Sequence, residues 1–307
     1  MRTFSHFALA MLGLASILLL HTSTSAPIDK SSTSAAEEEH SDKLPQVIKS
    51  VRLDQVYELA GEALPMSNFD AVERLDRELL VNSYWHSSTV LNIKNSRRYF
   101  PIMEPILLEE GVPEDFKYVS VIESSLRNVT SPAGAKGIWQ FMKTSAKGFG
   151  LTMTSEVDER YHVEKATRAA CQMIKRYKER FGTWTDAFAA YNIGETRFAR
   201  ERERQKMSSY YDMNFGAETG RYVFRVLAVK EILRNPSDFG FYLDEEDYYQ
   251  SMSDFRLLTV DKSIPNLGAF ASEKGISYRM LKVYNPWLIS SSLTVPAGKT
   301  YQLKIPG

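Results

Sequence analysis

From about residue 44 to residue 245, apolar side chains recur every three or four positions and almost nowhere alternate with polar ones. That period builds helices and leaves no material for a sheet, so the body of the chain is expected to be all-α. In Asn68-Phe-Asp-Ala-Val-Glu-Arg-Leu-Asp-Arg-Glu-Leu-Leu, helical spacing groups Phe69, Val72, Leu75, Leu79 and Leu80. A second helix is expected over about 96–110, ended by Gly111 and followed by Pro113. Pro113-Glu-Asp then opens a third, with acidic residues where a helix N-terminus favours them. Further helices are expected over about 164–181, 184–191 and 216–234. Cys171 falls in an apolar stripe with Ala170, Ile174 and Tyr177 and reads as a small core residue. The alternating charges of Arg200 to Lys206 read as a solvated helix face, with contact to anionic polymer or peptide stems as the sharper option.

After Asp244-Glu-Glu-Asp-Tyr-Tyr the texture changes. Phe255–Val260 reads as a strand, Leu267–Lys274 and Tyr278–Tyr284 as short helices, and Tyr301-Gln-Leu-Lys-Ile as a closing strand. A separate α+β module of β-α-α-β order is therefore expected over 254–307. At the other end, Arg2 precedes a 14-residue run, Phe7 to Leu20, that is apolar except for Ser16. A membrane-spanning helix wants about 20, whereas the core of an export signal wants about 7–15. Residues 1–25 are read as a signal peptide, with a retained anchor as the alternative, and the Ser/Thr/Ala/Glu-rich residues 26–43 as a disordered linker. The single cysteine lies far from this run and offers no site there for a lipid anchor.

The composition narrows the function classes. Lys plus Arg number 38 and Asp plus Glu 38, so the net charge is zero and a phosphate-matching basic excess is absent. Nucleic acid is therefore not an expected partner. No Cys/His cluster has metal-ligand spacing, and neither a metal nor a cofactor is expected.

The third helix carries a carboxylate on an apolar face. Phe116, Val119, Glu123 and Leu126 stand at i, i+3, i+7 and i+10, so Glu123 shares a stripe with three hydrophobic residues. Burial without a cationic partner keeps the proton on a carboxyl near neutrality, as a general acid requires. Helical spacing alone equally fits a solvated or ion-paired glutamate. The next segment, Ser131-Pro-Ala-Gly-Ala-Lys-Gly137, is a loop in which Gly134 and Gly137 permit positive φ or close backbone approach. In Ile138-Trp-Gln-Phe-Met142, Trp139 and Phe141 can stack on sugars or fill a core, and Gln140 can hydrogen-bond a hydroxyl or carbonyl. Tyr191 and Asn192, before Gly194, can be ligands or a helix C-cap.

Taken together and in order, Glu123-Ser124, Ser131-Pro-Ala-Gly-Ala-Lys-Gly-Ile-Trp-Gln140, Ala190-Tyr-Asn192 and Glu218-Thr-Gly-Arg-Tyr-Val223 resemble the motifs of the lytic transglycosylases. The similarity is greatest to the membrane-bound lytic murein transglycosylase D group, and it covers about 72–240. It implies a mainly α, lysozyme-like catalytic domain over 44–245. Residues 254–307 resemble LysM through Leu281-Lys-Val-Tyr-Asn-Pro286, Leu293-Thr-Val-Pro-Ala-Gly and Leu303-Lys-Ile-Pro. Asp261-Lys-Ser stands where that family has Gly-Asp-Thr, so the module is read as degenerate.

The resemblance implies peptidoglycan glycan strands as substrate and Glu123 as the single acid/base, protonating the oxygen between N-acetylmuramic acid and N-acetylglucosamine. It also implies that Ser124 orients substrate, that Gln140 and Asn192 lie along the sugar cleft, and that Tyr191 and Tyr222 line it near Glu123. It places the chain in the periplasm or cell envelope of a Gram-negative bacterium, with peripheral envelope association. Most glycosidases need two carboxylates. One suffices if the sugar's own 2-acetamido group attacks C1 and its C6 hydroxyl then closes a 1,6-anhydro ring. Two alternatives stay open: a hydrolase like the goose-type lysozymes, in which Asp158, Glu195 or Glu218 is the second acid, and a non-catalytic cell-wall-binding protein.

Overall fold

A computed structural model describes residues 48–307. The export segment and the linker expected over 1–25 and 26–43 lie outside the described residues. A small antiparallel hairpin, β1 (Glu58–Leu59) and β2 (Glu62–Ala63), opens the described chain. Then come α1 (Phe69–Tyr84), α2 (His86–Glu109), α3 (Lys117–Ser124), α4 (Lys143–Gly148), α5 (Val163–Phe181), α6 (Trp184–Ile193), α7 (Glu195–Gln205) and α8 (Ala217–Arg234). The C-terminal part is β3 (Phe255–Val260), α9 (Leu267–Glu273), α10 (Tyr278–Tyr284) and β4 (Tyr301–Pro306). The architecture is mainly helical with a β-α-α-β module after it, as the periodicity predicts.

The local causes are readable. Asn68 caps α1 by accepting from the backbone N–H groups of Asp70 and Ala71, and Thr183 caps α6 by accepting from Asp186. Gly182 ends α5 in a left-handed conformation at φ +92°. α1 turns Leu75 and Leu79 fully inward against α8, each burial contributing roughly 1.5–3 kcal/mol. α8 runs through the middle of the body and is buried on most of its circumference, including Tyr222, Phe224, Val226 and Leu227. Its one buried lysine, Lys230, donates to Glu58 O and Asp115 Oδ2, both at 2.8 Å. Against α8 lie α3 and α6, and the all-small stretch Ala187 to Ala190, broken only by Phe188, lets α6 approach closely.

Three expectations need correcting. The body is not all-α, because it carries the β1–β2 hairpin over residues 58–63. α2 begins at His86, ten residues before the expected start, and runs through Pro101 and Pro105. Both prolines face solvent, where the carbonyls they leave unpaired can be hydrated. Its early turns point Thr89, Asn92 and Asn95 inward, which hides the apolar period. The stripe that carries Glu123 also ends sooner than expected: α3 stops at Ser124, and Leu126 lies in a left-handed turn beyond it.

In the C-terminal module β3 and β4 pair antiparallel from Phe255↔Pro306 to Val260↔Tyr301. Asn285 ties α10 to β4: its Nδ2 donates to Leu281 O and Lys304 O, and its Oδ1 accepts from Lys304 N. The module's core of Leu267, Leu281, Leu288, Leu293, Leu303 and Ile305 includes Val157, a residue of the helical body.

Candidate active site

Glu123 occupies the last turn of α3, half-buried, above a reversal in which Ser125 (φ +53°) and Leu126 (φ +56°) are both left-handed. Left-handed backbone costs a non-glycine residue about 1–2 kcal/mol, and here the burial of Leu126 offsets it. Tyr222 of α8 donates its hydroxyl to Glu123 Oε1 at 2.6 Å. Loss of hydration dominates the carboxyl's energetics and raises its pKa to about 7, with the Tyr222 hydrogen bond opposing, Glu218 adding to the rise and Arg225 reducing it. The nearby cations are already engaged: Glu78, fully buried on α1, binds Arg221 Nε at 2.6 Å and Arg225 Nε at 3.6 Å. Glu123 is thus left with a tyrosine hydroxyl and no ion pair among the described residues. Burial, with the same contact adding to it, lifts the Tyr222 phenol well above its ordinary pKa, so it stays a donor.

Glu123 opens into a cleft of about 510 Å³. One wall is the loop 131–142, which contributes Ser131, Ala133, Ala135, Gln140, Phe141 and Met142. The opposite wall is the end of α6, with Tyr191, Asn192 and Gly194, together with Glu218 from the first turn of α8. Met173 and Tyr177 of α5 complete it. Gln140 is left-handed at φ +49°, and its Nε2 donates to Gly137 O (2.7 Å) and Val129 O (3.2 Å), leaving its side-chain oxygen for a ligand. Tyr191 donates to Trp139 O at 2.8 Å. Asn192 bridges Glu218 Oε1 and the Thr219 hydroxyl, at 3.3 and 2.7 Å.

Five of the six expected site residues therefore converge, although Tyr222 stands behind Glu123 rather than in the wall. Ser124 does not join them. Its side chain is buried, and its hydroxyl donates to Ser120 O and Ile138 O while accepting from Arg127 N. It fastens the end of α3 to the loop and does not line the cleft. Nor can Trp139 stack on a sugar: it is wholly buried, stacked on Phe116 at 4.9 Å and donating to Thr167 Oγ1 at 2.9 Å. Phe141 reaches the wall at only 2% exposure. Cys171 is a core residue whose thiol burial pushes up to about 12.

Of the three candidate second carboxylates, two are committed elsewhere. Asp158 is buried in a two-point pair with Arg160, and Glu195 binds Arg176 and Arg180. Only Glu218 shares the cleft. Met142, Met173 and Tyr177 were not anticipated as cleft residues. Met173 and Tyr177 lie i, i+4 on α5, a spacing that also describes a core stripe, so only the tertiary arrangement separates the two. Among the described residues no cluster of three acidic, His or Cys side chains could hold a metal ion, and no helix is long and apolar enough to cross a membrane.

Residues 106–214 match the Transglycosylase SLT domain, a span containing α3, the cleft loop and α6. Residues 256–307 match the soluble lytic transglycosylase C-terminal LysM-like domain. The chain is similar to membrane-bound lytic murein transglycosylase D of Escherichia coli strain K12 and of Escherichia coli O6:H1 strain CFT073. With each it is 28% identical over 227 residues, 72% of this chain and 48% of the relative. It thus spans about half the length of the curated relatives it matches. Lytic transglycosylase Slt of Pseudomonas aeruginosa overlaps in part, with a TM-score of 0.35 and 17% identity over 50% of this chain and 26% of that one.

Proposed function

We propose that this chain is a peptidoglycan lytic transglycosylase in which Glu123 is the only acid/base. The observation that carries the reading is a carboxyl at the head of a sugar-sized cleft, held protonated near neutral pH by burial and aimed by the Tyr222 hydroxyl. Protonated Glu123 donates to the oxygen linking N-acetylmuramic acid to N-acetylglucosamine, and that C–O bond breaks. The 2-acetamido oxygen of the muramic acid attacks C1 and carries the charge of the intermediate. Glu123, now ionised, takes the proton of the C6 hydroxyl, whose oxygen displaces the acetamido group and closes the 1,6-anhydro ring. The proton returns to Glu123 and no water is consumed. Gln140, Tyr191 and Asn192 hold the glycan along the walls. The chain works after export, in the periplasm or cell envelope, with peripheral association with the envelope.

Glu218 is the observation favouring a second reading. It shares the cleft with Glu123, so a hydrolase that activates water with Glu218 is the rival. Mass analysis of the products released from purified peptidoglycan separates the two. The transglycosylase gives ends lacking the elements of water, loses activity in Glu123→Gln and retains it in Glu218→Gln. Ordinary reducing ends, with Glu218→Gln inactive, would establish the hydrolase. Undiminished release by Glu123→Gln would remove Glu123 from either mechanism.

A further inference from the structure

The cleft loop is tied to Ser124 of α3 and Tyr191 of α6, and it is also held from outside those helices. Its carbonyls at Gly134 and Phe141, near the two ends of the wall, both accept from Arg160 Nη1 at 3.3 Å. Arg160 is buried, and the rest of its guanidinium is fixed by Asp158, through Nε to Oδ1 at 2.9 Å and Nη2 to Oδ2 at 2.7 Å. Backbone packing tightens the same joint. Gly137 lies so close that a Cβ there would stand 1.9 Å from Arg160 O.

The segment bearing Asp158 and Arg160 is in turn sewn to the C-terminal module. Asp158 N donates to Trp287 O and Ile289 N to Glu156 O, both at 2.9 Å. The Glu156 carboxylate accepts from Thr294 N at 2.6 Å and from the Ser292 hydroxyl. Val157 lies in the module's core, and His162 stacks on Trp287 at 5.6 Å. A continuous chain of contacts therefore runs from residues 287–294 through 156–160 to the wall 131–142.

We infer that Arg160 is a positioning residue for the cleft, and that docking of the LysM-like module through Glu156 and Val157 sets the position of the wall that receives the glycan. The inference rests on the transglycosylase reading for its kinetic consequence, and on geometry alone for its structural one. An arginine suits the role because its planar fork serves a carboxylate and two carbonyls at once, which a lysine ammonium cannot reproduce. The relay does not touch the Glu123–Tyr222 contact, which is built by α3 and α8.

The test uses Arg160→Lys and Glu156→Ala in the full chain, with hydrogen exchange resolved by segment and steady-state kinetics on glycan strands. For Arg160→Lys, exchange over 131–141 should accelerate roughly tenfold while 217–234 stays unchanged. KM should rise several-fold with a smaller change in kcat, and the pH profile set by Glu123 should not move. Glu156→Ala should loosen 287–294 first and 131–141 with it. An Arg160→Lys protein whose exchange rises evenly along the chain at unchanged KM would reduce Arg160 to a stabilising residue and overturn the inference. So would a Glu156→Ala protein in which 287–294 loosens and 131–141 does not. If the unmodified protein releases no product from peptidoglycan, the functional reading fails, and the exchange measurements still decide the relay.

Discussion

Replacing Glu123 by Gln should make the protein more stable, by an amount that grows from about pH 4.5 and is complete near pH 7. In the unfolded chain the carboxyl releases its proton around the ordinary value of 4.5, and in the folded chain around 7. Below 4.5 both states are protonated and the residue adds no pH-dependent cost. Between 4.5 and 7 the unfolded state ionises while the folded state does not, so stability falls as pH rises. Above 7 the full cost of an ionised, dehydrated carboxylate is present. At about 1.4 kcal/mol per pH unit the interval corresponds to roughly 3 kcal/mol. Glutamine has the same shape, its side-chain oxygen can still accept from Tyr222, and it never ionises. Urea unfolding of Glu123→Gln and the unmodified protein should therefore give matching free energies at pH 4 and a gain of up to about 3 kcal/mol for the variant at pH 8.5. The same variant should be inactive on peptidoglycan. An equal difference at both pH values, or none at pH 8.5, would refute the claim that Glu123 is dehydrated and unpaired.

Tyr222→Phe removes the donor that favours the ionised carboxylate. A hydrogen bond to a charged group contributes about 1.5–3 kcal/mol, so the alkaline limb of kcat/KM should move up by roughly 1–2 pH units, and a limb that stays or moves down would contradict the assignment. Gly137→Ala should destabilise by roughly 3 kcal/mol, because the added methyl meets Arg160 O and the residue must hold φ +81°. Gly134→Ala, at φ +85° with open space around it, should cost only about 1–2 kcal/mol, and equal losses in urea titrations would show that the contact at Gly137 is not tight.

The C-terminal module is legible because each of its boundaries has a local chemical signal. Asn266 and Ser277 accept from the backbone at the starts of α9 and α10, and the ends of β3 and the whole of α10 fall where alternation and helical period place them. The start of α2 is illegible for the opposite reason, since buried asparagines and a buried threonine imitate a loop. At the site, Glu123 can be picked out from one apolar face and a loop, but its state depends on Glu78 drawing Arg221 and Arg225 away, a contact between α1 and α8 separated by 143 positions. Trp139 and Ser124 show the limit most clearly. An aromatic ring and a hydroxyl beside a catalytic motif suggest ligand contact, yet the Thr167 hydroxyl and the Ile138 carbonyl satisfy them inside the protein. Arg160 gives no sign in sequence at all, because its four partner atoms lie on Asp158, Gly134 and Phe141, and their convergence exists only after folding.

Val157 has a consequence for how the chain can be divided. A cut made near residue 250, between the two matched regions, would strip a valine, the face of His162 and the backbone partners of residues 156–158 of their cover. The shortened product would expose a sticky seam on the segment that holds the cleft wall, so the border seen when reading along the polypeptide does not mark where the protein can be taken apart.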